Sequence, residues 1–154
     1  MCGIVGYVGK RQATPFLIEG LTKLEYRGYD SSGIAVLNEE KIRVEKCVGR
    51  LAELKRIIEG NEPTGHIGIG HTRWATHGEP SEINAHPHAS GTFAVVHNGI
   101  IENHEELREL LKSRGYVFLS QTDTEVIAHL VHWELEQGGT LREAVLRAIP
   151  QLRG

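Results

Sequence analysis

Short apolar stretches alternate with segments of helical periodicity along the whole chain, and this alternation constrains the fold more than any other feature. Residues Gly3–Val8 are almost entirely apolar and predict a short buried strand close to the first residue. Leu17, Leu21 and Leu24 then recur at the spacing of one helix face. Within 154 residues, such alternation predicts one mixed α and β domain.

The same alternation continues to the end of the sequence. Residues 33–37 and 42–48 predict a β-hairpin, and further strands are predicted at 66–71, 92–97 and 116–119. Helices are predicted at 51–58, 103–114, 122–137 and 140–149. Three of these helices open on residues with the spacing of a capping box: Asn103 with Glu106, Thr122 with Glu125 and Thr140 with Glu143.

Composition excludes several classes of protein. The chain has 17 basic and 20 acidic residues and therefore a net charge of −3. Such a charge is not typical of a protein that binds nucleic acid or an anionic membrane. It contains no apolar run of about 20 residues and no signal peptide. Two distant cysteines, Cys2 and Cys47, form no disulfide framework, so we expect a cytoplasmic protein.

Cys2 stands directly before the first strand. Its small side chain permits removal of Met1, which would leave Cys2 with a free α-amine. An α-amine has a pKa near 8, so one residue would then carry both a thiol nucleophile and a general base. The alternative is that Cys2 is only a small hydrophobic residue at the start of a strand.

A polar loop follows the strand predicted at 66–71. It contains Arg73, Trp74, Thr76 and His77. The planar guanidinium of an arginine suits a substrate carboxylate, because it can donate to both oxygens at once. The alternative is a solvated surface loop in which Trp74 simply packs against its neighbours.

Two further short motifs could bind a substrate. The Asn98 side chain and the Gly99 backbone N–H could form an oxyanion hole, although Asn-Gly is also a common turn. Asp123 lies at a predicted helix start, where it could cap the helix or hold a ligand ammonium group. Nine histidines, among them His86 and His88, lack the spacing of a zinc site, and we expect no metal or other cofactor.

The order of these motifs along the chain is more specific than any one of them. The sequence contains, in order, Cys-Gly-Ile-Val-Gly at 2–6, Arg-Gly-Tyr-Asp-Ser-Ser-Gly at 27–33, His-Thr-Arg-Trp-Ala-Thr-His-Gly at 71–78, Asn-Ala-His-Pro-His at 84–88, His-Asn-Gly-Ile-Ile-Glu-Asn at 97–103 and Thr-Asp-Thr-Glu at 122–125. This set resembles the glutaminase domain of class II glutamine amidotransferases, the N-terminal-nucleophile type. Within the family, it is similar to the branch that forms amino sugars from fructose 6-phosphate. Amidophosphoribosyltransferases carry a different residue in place of Trp74.

The resemblance implies a catalytic role for three residues. Cys2, freed of Met1, would attack the side-chain amide of glutamine, with its own α-amine as the base. The Asn98 side chain and the Gly99 N–H would bind the oxyanion. Arg27 would lie near the nucleophile. The products would be glutamate and ammonia, formed through a γ-glutamyl thioester.

The resemblance also implies how glutamine is bound. Arg73 would hold the α-carboxylate and Asp123 the α-ammonium group. Thr76 and His77 would line the same loop and help to close it. Trp74 would lie at the exit towards a partner domain.

The family's fold is α+β, an αββα sandwich of two antiparallel sheets between helical layers. The resemblance covers essentially residues 1–154, which we expect to be a glutaminase domain truncated at its C-terminus. Glutamine would be its partner, and fructose 6-phosphate would bind only to sugar-isomerase domains outside this chain, through which a homo-oligomer could also form. The alternative is a non-catalytic glutamine-binding or interaction module, which a retained Met1 or an incomplete sandwich would favour.

Overall fold

Four strands form the larger sheet. A computed structural model describes residues 1–39, 41–75 and 77–154. The strands are β1 (Gly3–Val8), β2 (Ser31–Asn38), β3 (Lys41–Val48) and β4 (Ile67–Arg73), in the order β1-β4-β2-β3 with every neighbouring pair antiparallel. The predicted first strand and hairpin are confirmed. β4 runs two residues further than predicted, to Arg73, so it ends inside the polar loop motif.

Two helices, α1 (Ala13–Leu24) and α2 (Leu51–Ile58), pack on this sheet and enclose its core. Leu17 and Leu21 of α1 are fully buried. They lie directly over two glycines of β4, since a Cβ on Gly68 would come within 2.8 Å of Leu17 Cδ1 and one on Gly70 within 3.0 Å of Leu21 Cδ1. The glycines therefore let the helix approach the strand closely.

A second, two-stranded antiparallel sheet consists of β5 (His88–Ser90) and β6 (Phe93–Val95). It packs with α3 (His104–Ser113), α4 (Thr124–Glu136) and α5 (Leu141–Ala148) around a second apolar cluster that includes Leu111 and Leu130. Ile42 of β3 packs against that cluster, so it links the two sheets. Among the residues that the structure describes, no helix has both the length and the apolar character to cross a membrane.

The structure corrects several local predictions. The predicted strand at 116–119 is wrong: none of these described residues pairs with a strand. The Tyr116 N–H donates to the Leu111 carbonyl oxygen and the Leu119 N–H to the Glu125 carboxylate. The strand predicted at 92–97 is shorter, Phe93–Val95. In the described part of the chain the Asn103 side chain makes no capping bond, since it contacts the backbone of residues 151 and 153. Thr122 does not cap α4 either, because α4 begins at Thr124 and Asp123 precedes it. The capping box of Thr140 is confirmed.

Gly33 of β2 is a packing point between the two sheets. A Cβ there would overlap the carbonyl oxygen of His86 and lie 3.0 Å from that of Glu45. We expect Gly33→Ala to lower the free energy of unfolding by about 1–3 kcal/mol, measured by urea denaturation. Gly6→Ala is the matched control within a strand, because no described atom lies within 4 Å of its Cβ position, and its effect should stay within about 0.5 kcal/mol. Equal effects would contradict this account of the packing.

Candidate active site

The register of the large sheet places Cys2 beside the polar loop. Gly3 of β1 pairs with Thr72 of β4, so Cys2 lies next to the residues that follow β4. The Cys2 Sγ atom accepts a hydrogen bond from the Trp74 N–H at 3.1 Å and lies 3.4 Å from the Trp74 carbonyl oxygen. Among the described residues, the backbone atoms of Trp74 therefore hold the thiol.

Asn98 and Gly99 lie beside Cys2. The Asn98 Nδ2 atom donates to the Cys2 carbonyl oxygen at 3.2 Å. Gly99 has a φ of +143°, and a Cβ there would come within 3.1 Å of the His97 ring. Only glycine fits this backbone conformation without strain, which explains the Asn-Gly pair at this position.

Two buried side chains of opposite charge, Arg73 and Asp123, line the same cavity as Cys2. Arg73 is 3% exposed, and its guanidinium donates to the carbonyl oxygens of His77, Gly78 and Glu79, with the Gly78 distance 3.3 Å. Asp123 is also 3% exposed, and its Oδ2 atom accepts from the Ile101 N–H at 2.7 Å. Each charge is thus oriented by backbone groups, and together they suit a zwitterion.

These residues line one cavity of about 460 Å³, within the size range of small-molecule sites. The cavity brings together the predicted site residues that the structure describes, namely Cys2, Arg27, Arg73, Trp74, His77, Asn98, Gly99 and Asp123. Thr76, the remaining predicted residue, lies outside the described residues.

Met1 occupies the edge of this cavity next to Arg27. Its ammonium group donates to the Arg27 carbonyl oxygen at 2.5 Å, and the Arg27 guanidinium lies 3.8 Å from the Met1 sulfur. While Met1 is attached, the Cys2 nitrogen is a peptide nitrogen and cannot accept a proton. Arg27 therefore contacts the residue whose removal would free the Cys2 amine.

Asp30 is a site residue that the sequence analysis did not assign. Its carboxylate accepts from the Ala75 N–H and, at 2.9 Å, from the Ser31 hydroxyl. Its own N–H donates to the Arg73 carbonyl oxygen at 3.2 Å. Asp30 therefore fixes the segment whose Trp74 N–H holds the Cys2 thiol. The signal was present in the Arg-Gly-Tyr-Asp motif at 27–30, where a carboxylate ends a short glycine-containing loop.

Three buried histidines, His71, His86 and His88, contact one another through their rings, and His86 lines the cavity. The ring centroids of His71 and His86 are 4.2 Å apart and the rings are stacked, while His86 meets His88 edge-on at 4.8 Å. Burial lowers the pKa of His71 to about 4 and that of His88 to about 3, and it lowers the pKa of His86 as well. All three rings are therefore neutral at pH 7. Within the residues that the structure describes, no three histidine, cysteine, aspartate or glutamate side chains are arranged to hold a metal ion.

Glu125, two residues after Asp123, anchors the loop that leads to the site. Burial alone would raise the pKa of its carboxyl, but hydrogen bonds from His129, the Ser120 hydroxyl and the N–H groups of Leu119 and Ser120 lower it to about 2. A carboxyl with a depressed pKa in the folded state stabilises the fold above its unfolded pKa, and this stabilisation is lost as the pH falls.

We expect Glu125→Gln to lower the free energy of unfolding by about 2–3 kcal/mol at pH 7. The difference in the free energy of unfolding between the variant and the wild type should be largest above about pH 5 and should shrink as the pH falls towards 2. Urea denaturation of both proteins across this range measures it, and the same exchange at exposed Glu105 is the control. A difference that is independent of pH would contradict the ionised state of Glu125.

Comparison with known proteins identifies relatives of this chain. A family model described as a glutamine amidotransferase domain matches residues 71–151. The chain is 63% identical to a glutamine–fructose-6-phosphate aminotransferase (isomerizing) of Haemophilus influenzae and 64% identical to that of Escherichia coli strain K12, in each case over 100% of this chain. It spans about a quarter of these curated relatives, 25% and 26% of their lengths.

Solved structures show the same fold. A glutamine phosphoribosylpyrophosphate amidotransferase from B. subtilis superposes with a TM-score of 0.82 and 29% identity, covering 100% of this chain and 33% of that one. A structure described as the allosteric regulatory enzyme of purine biosynthesis gives a TM-score of 0.83 and 30% identity, with 100% and 34% coverage. The predicted α+β class, a sandwich of the N-terminal-nucleophile type with two antiparallel sheets, is confirmed.

Proposed function

We propose that this chain, which belongs to the glutamine amidotransferase family, hydrolyses glutamine to glutamate and ammonia through a γ-glutamyl thioester on Cys2. One observation carries the proposal. The Cys2 thiol, the Asn98–Gly99 pair and the oppositely charged side chains of Arg73 and Asp123 line the same cavity. A nucleophile, oxyanion donors and two zwitterion anchors are the parts that amide hydrolysis of an amino acid requires.

The first half of the reaction acylates the sulfur. The Cys2 α-amine, free after loss of Met1, takes the thiol proton while Sγ attacks the amide carbon of glutamine. Negative charge develops on the amide oxygen, which accepts hydrogen bonds from Asn98 Nδ2 and the Gly99 N–H. The α-ammonium group then returns the proton to the leaving nitrogen, the C–N bond breaks, and ammonia departs.

The second half releases glutamate. Water gives a proton to the α-amine and attacks the thioester carbon, passing through a second oxyanion at the same donors. The C–S bond breaks and the sulfur takes back the proton. The Trp74 N–H, which lies 3.1 Å from Sγ, stabilises negative charge on the sulfur in both halves.

The ammonia has a proposed destination beyond this chain. Its relatives are named for transfer to fructose 6-phosphate and are about four times as long as this chain. We therefore assign this chain as the ammonia-supplying glutaminase unit of a protein whose sugar-isomerase domains form glucosamine 6-phosphate. The Trp74 side chain lines the cavity yet is 53% exposed, which fits a position at the exit towards such domains.

The test compares two forms of the purified protein, one that begins at Cys2 and one with an extra glycine before Cys2. The intact mass of each form establishes its first residue. The form that begins at Cys2 should release glutamate and ammonia from glutamine in equal amounts, and it should not act on asparagine, whose amide lies one methylene closer to the zwitterion. A form with one extra glycine before Cys2 should bind glutamine in a calorimeter without turnover, because it lacks the free α-amine. Binding without turnover by both forms would support the non-catalytic module instead.

A further inference from the structure

The oxyanion donor Asn98 has a carboxamide that can be placed in two ways. Its oxygen and nitrogen ends have nearly the same shape, so packing alone hardly distinguishes them. With Nδ2 towards Cys2, the amide donates to the Cys2 carbonyl oxygen at 3.2 Å. This bond uses one amide hydrogen and leaves the second for the substrate. With the amide turned over, Oδ1 would face both the Cys2 carbonyl oxygen and the developing oxyanion, and both contacts would be repulsive.

Besides the Cys2 carbonyl oxygen, His71 distinguishes the two ends of the carboxamide. Its Nε2 atom lies 2.8 Å from Asn98 Oδ1. Since Oδ1 can only accept, the bond requires a proton on His71 Nε2. In the other tautomer of His71, Nε2 carries no proton and would attract the Nδ2 end of the carboxamide. That tautomer would therefore favour the opposite orientation of Asn98.

The surroundings of His71 suit this role. The residue lies in β4 and is 1% exposed. Burial lowers its pKa to about 4, against the smaller opposing effect of the bond to Asn98. The neutral ring therefore adds no positive charge to the site. The stacked ring of His86, at 4.2 Å and 16° between planes, limits rotation of the imidazole. The N–H is consequently held in one direction.

We propose that His71 is a positioning residue whose Nε2–H bond fixes the Asn98 carboxamide with its N–H end towards the oxyanion. The proposal rests on the proposed glutaminase function. His71 acts through Asn98 and not on glutamine itself, so its loss should lower kcat and leave KM nearly unchanged. The anchors Arg73 and Asp123, which set glutamine affinity, are not altered by it.

The experiment compares His71→Gln with His71→Met in the protein that begins at Cys2. The two side chains have equal length, but only glutamine places an N–H near the position of His71 Nε2. We expect His71→Met to lower kcat about 10- to 100-fold, below the loss from removing an oxyanion donor outright, with KM within about twofold. His71→Gln should retain kcat within about threefold. Equal values of kcat for the two variants would overturn the proposal.

A double-mutant cycle separates positioning from a general structural effect. In an Asn98→Ala background, where no carboxamide remains to be oriented, His71→Met should cause no further loss of kcat. The same loss in both backgrounds would show that His71 acts on the fold and overturn the proposal. If His71→Met does not fold, His71→Asn, whose shorter amide cannot reach Asn98, takes its place in both comparisons. Failure of the function itself is distinct, because the unsubstituted protein would then release no ammonia.

Discussion

Replacing Cys2 by alanine is expected to abolish release of ammonia from glutamine, with a fall in kcat of at least about 10⁴-fold. The reason is that alanine keeps the free α-amine, the oxyanion donors and both zwitterion anchors but removes the sulfur that forms the thioester. Alanine is also small enough at the second position for Met1 to be removed, so both proteins begin at residue 2. The measurement is initial ammonia release at saturating glutamine.

The other cysteine provides the control. Cys47 is 5% exposed and belongs to the core formed with α1 and α2. Cys47→Ala should therefore retain kcat, although it removes the same atom. Glutamine should still bind to the Cys2→Ala protein in a calorimeter, because Arg73 and Asp123 are intact. Unchanged ammonia release by the Cys2→Ala protein would show that Cys2 is not the nucleophile.

Asn98→Ala is expected to lower kcat by about 10²–10³-fold, the usual loss when one oxyanion donor is removed. The Gly99 N–H remains, so residual activity should be measurable. KM should change little, since the carboxamide meets the charge that develops during the reaction and not the zwitterion of the ground state.

The same substitution elsewhere tests whether the effect is specific. Asn103→Ala removes a carboxamide that bonds to the backbone of residues 151 and 153, and it should leave kcat near the wild-type value. A rise in KM at constant kcat for Asn98→Ala would contradict its role, because that result describes a group that binds the ground state.

Part of the site could be predicted from the sequence because several of its residues lie at or just beyond the ends of strands. Cys2 precedes β1 and Arg73 ends β4, and antiparallel pairing of these strands brings the two together. Asn98 follows the short strand β6. Each local pattern was equally compatible with a structural role, such as a turn, a helix cap or a surface loop. The order of the motifs along the chain favoured the prediction of an active site.

Other features could not be predicted, because they depend on contacts distant in sequence. Residues 116–119 have the composition of a strand, but the Tyr116 N–H donates to the Leu111 carbonyl oxygen and the Leu119 N–H to the Glu125 carboxylate. Periodicity does not reveal such contacts. His71 looks like an ordinary strand residue, and its partner Asn98 lies 27 positions away. Asp30 contacts Ala75 across 45 positions. Such polar contacts follow from the assembled fold and not from local pattern.

The central claim is that the Cys2 sulfur becomes acylated by the glutamyl group, and trapping that intermediate tests it most directly. Protein beginning at Cys2 is mixed with glutamine, quenched in acid within one turnover to preserve the thioester, and digested for peptide mass analysis. The account predicts one added glutamyl group on the peptide that contains Cys2 and an unmodified peptide for Cys47. Ammonia release with no glutamyl group on Cys2 at any quench time, or with the group on Cys47, would contradict it.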